Sequence, residues 1–360
     1  MKKFAFFLPQ FHEIKENNKW WGKGFTEWVN VRSAKPLYNG HLQPKVPIDG
    51  YYNLLEKETV IHQTNLMHKY GVDGMIYYHY YFTGKKLLEK PAENLLKWKD
   101  INQPFFFCWA NHSWKRSWNG SCEMLQKQNY GTEKDWEKHF NYLLPFFKDP
   151  RYEKKENKPL FMIFDSVFEE KNKIFEYFNK KCIENGFDGI YIINSCNNVE
   201  EVDYNKKNKS NKFTNKILYR ESSYSYNLNR TFMFRIINKI RKILCEKLGF
   251  TSLVQKVDGN KLIKLALKKY DFNDKSIMHG LFFEWDNTPR HKNRGYIITP
   301  ISKESFNAYM DKIRDEDYVF INAWNEWCEG MMLEGTEENG YKYLEWIKEW
   351  TDNENRTNGV

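Results

Sequence analysis

The segment Asn322 to Gly330, Asn-Ala-Trp-Asn-Glu-Trp-Cys-Glu-Gly, sets two carboxylates, Glu326 and Glu329, three residues apart among tryptophans. It follows the apolar run Tyr318 to Ile321, which reads as a buried strand, and acids at the C-terminal end of a strand have no packing reason to be there. Such a pair beside indole faces suits a glycosidic bond. One carboxyl donates a proton to the leaving oxygen, the other accepts one, and Trp stacks on sugar C–H faces. The structural alternative is an ordinary helix start, whose dipole also attracts Glu.

The elements that must position the pair recur along the chain. Apolar or aromatic runs at Phe4 to Leu8, Met75 to Tyr81, Phe105 to Trp109, Leu160 to Phe164, Ile190 to Ile193, Ile217 to Tyr219, Gly280 to Trp285 and Tyr318 to Ala323 read as strands. Helix-like patterns lie between most of them, at Glu56 to Lys69, Glu133 to Phe147, Lys171 to Asn185, Lys261 to Lys269 and Lys303 to Arg314. Eight βα units in 360 residues predict an α/β fold, a (β/α)8 TIM barrel in a single domain over 1–352. A basic, partly helical insertion is expected around 205–270, and a polar C-terminal tail at 353–360. Periodicity alone leaves a doubly wound sheet open. Asp73 and Asp188, in Gly-x-Asp-Gly and Gly-Phe-Asp-Gly links from helix to strand, read as turn formers.

In a barrel the chemistry gathers just after the strands. Gln10 and His12 follow the first run, Tyr78, His79, Tyr80 and Tyr81 end the second, and Asn111, His112, Trp114, Arg116 and Trp118 follow the third. Glu284, Trp285, Asp286 and Asn287 come with the seventh. Any one of these taken alone reads first as a structural group, and His79 reads equally as a satisfied core histidine. Together they choose the same end of successive strands, which packing accidents do not explain.

An apolar fraction of 41% excludes wholesale disorder. Aromatics at 18%, with 13 Trp and 23 Tyr, exceed ordinary packing needs and fit sugar binding or a coding bias towards Phe, Tyr, Lys and Asn. The opening Met-Lys-Lys-Phe-Ala-Phe-Phe-Leu imitates a signal peptide for a few residues, but its apolar part is too short, so it reads as the first strand. No window nears the roughly 18 apolar residues of a membrane span. Cys108, Cys122, Cys182, Cys196, Cys245 and Cys328 lack Cys-x-x-Cys spacing and read as reduced thiols, which predicts a cytoplasmic protein. No His-Glu-x-x-His or Gly-rich phosphate loop occurs, and His62 and His68 are six apart on a helix, off one face. Neither a metal nor a cofactor is expected.

Several ordered motifs carry a resemblance. They are Leu-Pro-Gln-Phe-His at Leu8 to His12, Trp-Trp-Gly-Lys-Gly-Phe-Thr-Glu-Trp at Trp20 to Trp28, His-Leu-Gln-Pro at His41 to Pro44, Tyr-Tyr-His-Tyr-Tyr-Phe at Tyr77 to Phe82, Cys-Trp-Ala-Asn at Cys108 to Asn111, Trp-Asp-Asn-Thr-Pro-Arg at Trp285 to Arg290, and the nonapeptide Asn322 to Gly330. With them the chain resembles the WbsX-type glycosyltransferase proteins of bacterial polysaccharide clusters, a group similar to glycoside hydrolase family 99. The resemblance implies a (β/α)8 barrel acting at a glycosidic bond in surface polysaccharide biosynthesis or processing. In the hydrolase relatives a Glu-x-x-Glu pair cleaves α-mannosides with retention. Carried over, Glu326 is the base that takes the proton of the sugar's own 2-hydroxyl, and Glu329 is the acid and then base. Glu329 must then hold a proton near neutrality, through burial or the nearby Glu326. Gln10, His12, Trp28, Tyr78, His79, Trp109, Asn111, His112, Trp114, Trp285, Asp286 and Asn325 are the expected substrate contacts. Where relatives carry Glu after Trp-Ala-Asn, His112 stands here, and Leu333-Glu334-Gly335-Thr336 replaces Leu-Glu-Pro-Asp. The first change bears on sugar preference.

The net charge of +9 is local. From Lys206 to Lys247 twelve Lys and Arg stand against Glu221 and Glu246. Phe232 to Leu248 has helical apolar spacing at Met233, Ile236, Ile237, Ile240, Ile243, Leu244 and Leu248 among basic residues. It reads as a helix packed on the barrel with a solvated basic rim, or as one resting on an anionic inner leaflet to meet a lipid-linked glycan. Nucleic acid is not expected, for no motif supports it. Three functions compete: retaining glycosidase or transglycosidase chemistry on an oligosaccharide or lipid-linked glycan, transfer from an activated sugar donor, and non-catalytic glycan binding. Donor chemistry would favour a metal-binding Asp-x-Asp after a strand, whereas Asp315-Glu316-Asp317 precedes the last one.

Overall fold

The computed structural model describes residues 1–116, 123–207, 213–248 and 253–357. Trp118, Cys122 and the Cys245 side chain lie outside the described set. Eight strands form the centre: β1 (Lys2–Phe7), β2 (Gly74–Phe82), β3 (Phe105–Trp109), β4 (Lys158–Ile163), β5 (Tyr191–Cys196), β6 (Thr214–Tyr219), β7 (Ile277–Phe282) and β8 (Tyr318–Asn322). Each pairs in parallel with its neighbours, and β1 joins both β2 and β8, so the sheet closes into a barrel. The doubly wound alternative is thereby removed, since closure leaves no free edge. Helices Lys57–Lys69, Glu133–Phe147, Lys171–Glu184, Gly259–Lys269 and Lys303–Ile313 follow the expected patterns to within two residues at each end.

Strand alternation fills the barrel in aromatic layers. Phe4, Phe106 and Phe320 meet inside, with ring centres 5.3 Å and 5.7 Å apart, and Phe6, Tyr78 and Phe164 form the next layer at 5.6 Å and 5.9 Å. Burying each ring contributes about 1.5–3 kcal/mol. The layers make the floor on which the mouth is built. At the opposite end Asp73 accepts the Lys3 N–H at 2.7 Å, the turn role its spacing suggested.

Two expectations shift. The seventh run was placed at Gly280 to Trp285, but β7 ends at Phe282, because Trp285–Asp286 leaves the barrel to pair antiparallel with Tyr296–Ile298. Its start was masked by the polar His279, whose Nδ1 lies 2.5 Å from Glu316. The apolar side chains of the helix Phe232–Leu248 are the second. A packed helix would bury Met233, Ile236, Ile237 and Ile240, yet all four are exposed, Met233 by 63% and Ile237 by 60%. The partly covered residues of the helix are Phe234, Asn238, Arg241 and, of the expected apolar set, Leu244. Phe234 meets Tyr226 at 5.9 Å, and Arg241 donates to the Leu253 carbonyl at 2.9 Å. Within 205–270, Thr214–Tyr219 is β6, and Gly259–Lys269 buries Leu262, Ile263 and Ala266 in the common core. The helix Lys342–Thr357 runs on past residue 352.

Candidate active site

After β8 the chain makes a small hairpin. Asn325 pairs with Met332 and Glu326 with Met331, and the turn Trp327–Glu329 between them ends at Gly330 in the left-handed region (φ 57°). A Cβ at Gly330 would also stand 2.9 Å from Asp286, so both conformation and space require glycine. Below the turn, Glu334 is buried and accepts from Tyr52 (2.8 Å), Gln63 (2.7 Å), Trp324 (3.1 Å) and Trp327 (2.6 Å). Burial pushes its carboxyl up to about 7, against the pull of those donors. Asn325 laces the hairpin to β1, accepting from Leu8 N–H at 2.7 Å and donating to Leu8 carbonyl at 3.0 Å. A loop held this way presents its carboxylates in one fixed geometry.

The hairpin opens into a cavity of about 520 Å³ lined by the residues at and beyond the strands' C-terminal ends. Glu326 and Glu329 both line it, with Glu27, Arg290, Arg220, Tyr78, Tyr80, Phe164, Trp114 and Trp285. Arg290 gathers the acids. Its Nη1 donates to Glu329 at 2.5 Å, its Nη2 donates to Glu27 at 2.8 Å, and Nη2 lies 3.8 Å from Glu326. Burial, then the charge of Glu329, pushes Glu326 up to about 8, which favours its protonated form. Glu329 is also raised by burial, but the Arg290 ion pair favours its ionised form.

Of the expected substrate contacts, Gln10, Tyr78, His112, Trp114 and Trp285 line the cavity. The others stand outside its lining. Tyr78 and Tyr80 share the inner face of β2, so His79 must point outward. It lies 2.8 Å from His139, and burial lowers it to about 3, keeping it neutral. Trp109 donates to the Tyr81 carbonyl at 3.3 Å, and Asn111 grips both Asp165 backbone groups at 2.8 Å. Trp28 donates to the Tyr52 carbonyl and packs on Trp327 at 5.5 Å. Asp286 accepts from Gln43 at 2.7 Å and the Thr288 N–H at 3.0 Å, with His41 at 2.8 Å. His12 is buried and neutral, lowered by burial to about 4. These groups hold the wall from behind.

Sequence reading passed over Glu27 and Arg290, although both stand inside quoted motifs, because neither precedes nor follows a strand directly. It also missed Arg220, the first residue after β6, which the strand-end rule selects.

A closed barrel of eight parallel strands, with an acid pair against aromatic walls at its C-terminal mouth, places these groups where barrel enzymes hold their active sites. The chain belongs to the family described as Glycosyltransferase WbsX, whose family model matches residues 3–347. Two relatives, both described as Uncharacterized protein WxcX and from two strains of Xanthomonas campestris pv. campestris, are 29% identical over 353 residues, covering 95% of this chain and 48% of theirs. The chain thus spans about half the length of the curated relatives it matches. Among solved structures, a GH99 endo-alpha-mannosidase from Bacteroides thetaiotaomicron is similar with a TM-score of 0.58 and 12% identity, over 99% of this chain and 98% of that one. The complex of that mannosidase with BIS-TRIS-propane gives 0.57 at 12% identity over the same shares. A glycoside hydrolase-like protein gives 0.59 at 14%, over 97% and 93%. At these identities the likeness is one of fold.

Proposed function

We propose that this chain breaks or exchanges a glycosidic bond with retention, on an α-mannoside-like glycan of a bacterial surface polysaccharide, using Glu326 and Glu329 as a coupled acid and base. The observation that carries the reading is the pair itself, buried Glu326 and partly buried Glu329 beside one guanidinium in an aromatic cavity at the barrel mouth. The ionised partner takes the proton of the 2-hydroxyl. The freed oxygen then bonds to C1 as the bond from C1 to the leaving oxygen breaks, and the protonated partner gives that oxygen its proton. Water or a sugar hydroxyl next attacks C1 as the C1–O2 bond breaks, gives up its proton to the former acid, and O2 regains its own from the former base.

Family precedent makes Glu326 the base and Glu329 the acid. The Arg290–Glu329 ion pair favours the exchanged assignment, with the proton already on Glu326. Under the first assignment the proton crosses between the two when substrate loosens Arg290. The activity test is to incubate the purified protein with α-mannosides and with nucleotide-activated sugars, following products by mass. Release or exchange without a donor is expected. Extension only with a nucleotide sugar would replace this reading by donor transfer, and no product with retained sugar binding would leave a lectin-like role. The Asp315–Asp317 segment offers donor chemistry no support, since Asp317 pairs with Lys155 at the N-terminal end of β8.

A lipid-linked glycan met at the cytoplasmic face of an anionic membrane fits the exposed basic helix. Phe232, Met233, Ile236, Ile237 and Ile240 form an uncovered apolar face, with Arg235 and Lys239 also exposed. Each such cation adds about 1 kcal/mol near an anionic leaflet. The helix is joined to the site through Phe234, Tyr226, Tyr296 and Trp285 in successive ring contacts of 5.9, 4.7 and 5.3 Å. Among the described residues no helix is long and apolar enough to cross a membrane. Co-sedimentation with phosphatidylglycerol vesicles but not phosphatidylcholine vesicles is the expected result, and equal partition into both would remove the charge argument.

A further inference from the structure

Two arginines line the same cavity, and their charges are met differently. Arg290 is ringed by Glu27, Glu326 and Glu329. Arg220 forms no ion pair with a carboxylate among the described residues, although it is only 7% exposed. The neighbouring acid, Glu221, turns the other way and accepts from Ser225 at 2.5 Å and from Tyr270. Glu329 feels the Arg220 charge, which favours its ionised form, without pairing to it.

The backbone explains why Arg220 points where it does. In register, Leu218 of β6 stands beside Met278 of β7, and Gly280 beside Phe320, whose ring lies inside the barrel. Alternation carries that inward face from Leu218 to Arg220, two residues on and just past the strand. The Arg220 N–H donates to the Cys196 carbonyl at 3.0 Å, its Nε donates to Asn197 at 2.7 Å, and its guanidinium carbon lies 3.6 Å from the centre of the Phe164 ring. The planar head is therefore fixed at one edge and over one face. Its Nη1 is buried and has no protein partner, and the same is true of Trp285 Nε1 on the same cavity wall. Both atoms can only donate.

A rigid, desolvated guanidinium with no ion pair to a carboxylate among the described residues, and a second orphaned donor lining the same cavity, suit an oxyanion. We propose that the glycan bound in this cavity carries an anionic group, a sugar carboxylate or a phosphate ester, and that Arg220 binds it. The inference rests on the reading of the cavity as a glycan site and adds the charge of the glycan to it.

The test is calorimetric titration, at fixed ionic strength, of wild type, Arg220→Lys and Arg220→Gln with methyl α-mannoside, its 6-carboxylate (the uronate), its 6-phosphate and inorganic phosphate. Wild type is expected to bind at least one acidic glycoside about tenfold or more tightly than the neutral one, the scale of a charge-assisted hydrogen bond. Arg220→Gln should bring that ratio close to one, and Arg220→Lys should restore part of it. The preferred acidic glycoside names the source of the anion. An equal affinity of wild type for neutral and acidic glycosides, or a ratio unchanged in Arg220→Gln, would overturn the role of Arg220 while leaving the glycan reading standing. Failure of every glycoside to bind would overturn both, and binding of inorganic phosphate alone would show an anion site that is not a glycan subsite. Thermal unfolding of each variant separates lost recognition from lost fold; should Arg220→Gln unfold, the ratio in Arg220→Lys decides.

Discussion

The acid-rich part of the cavity and the part around Arg220 solve opposite electrostatic problems. Around Arg290 three carboxyls crowd one cation, which with burial favours the protonated form of Glu326, the form the proposed chemistry needs of its acid. Around Arg220 a cation is held without an ion pair to a carboxylate among the described residues, so a partner for its Nη1 is left for a ligand to bring. The difference teaches that burial does not by itself mark a catalytic group. What marks it is whether the protein satisfies the charge internally or leaves it for something that enters.

The largest effects are expected where the proton is held. Glu326→Gln and Glu329→Gln should each lower turnover by about 10²–10⁴-fold, read as kcat under saturating glycan. A loss below tenfold for either would remove it from the pair. Arg290→Gln comes next. Without its counter-charge Glu329 should move further upward, so the acid limb of the pH–rate profile should shift to higher pH, with kcat/KM lower by about 10- to 100-fold. An unshifted profile would break the contrast between the two arginines.

Smaller effects concern stability. Glu334→Gln leaves some of its four donors unmet and should cost about 1–3 kcal/mol in denaturant unfolding. A change near zero would show that the carboxyl is not what anchors the turn. Glu326 keeps its proton to about pH 8 when folded and releases it near its ordinary 4.5 when unfolded, so rising pH favours unfolding across that window. The melting temperature of wild type should therefore fall relative to Glu326→Gln between about pH 5 and 8, and parallel curves would place the proton elsewhere. The smallest effect on the fold is expected at Ile237→Ser and Ile240→Ser, both exposed, where stability should change by less than about 0.5 kcal/mol while vesicle binding falls. Retained vesicle binding would detach that helix from the membrane reading.

Much of the barrel was legible because eight buried runs alternate with amphipathic stretches, and burial on both faces writes a strand as an apolar run. β7 was displaced because His279, a polar residue paired with Glu316, interrupts that signal, while Phe283 and Trp285 extend it past the true end. The basic helix was legible as a helix, but the side it covers was not. Spacing defines an apolar stripe and cannot say whether protein, bilayer or water meets it, and here the barrel meets Phe234 and Arg241 instead. At the site, Glu326, Glu329, Tyr78 and Trp285 were legible from strand ends. His79, open in the sequence between substrate contact and satisfied structural group, takes the second place because a one-residue step in a strand reverses the face. Arg290 and Glu27 come from distant segments, and only the fold brings their charges together.

The most direct measurement is the leaving-group dependence of glycoside turnover in Glu326→Gln and Glu329→Gln. A shared proton assigned to one carboxyl as acid predicts that one variant loses activity on poor alkyl leaving groups far more than on activated aryl ones, while the other loses both alike. Selective loss in Glu329→Gln assigns the acid there, and selective loss in Glu326→Gln gives the exchanged roles that the Arg290 ion pair favours. Equal loss across all leaving groups in both variants, or none in either, would contradict acid–base action by this pair.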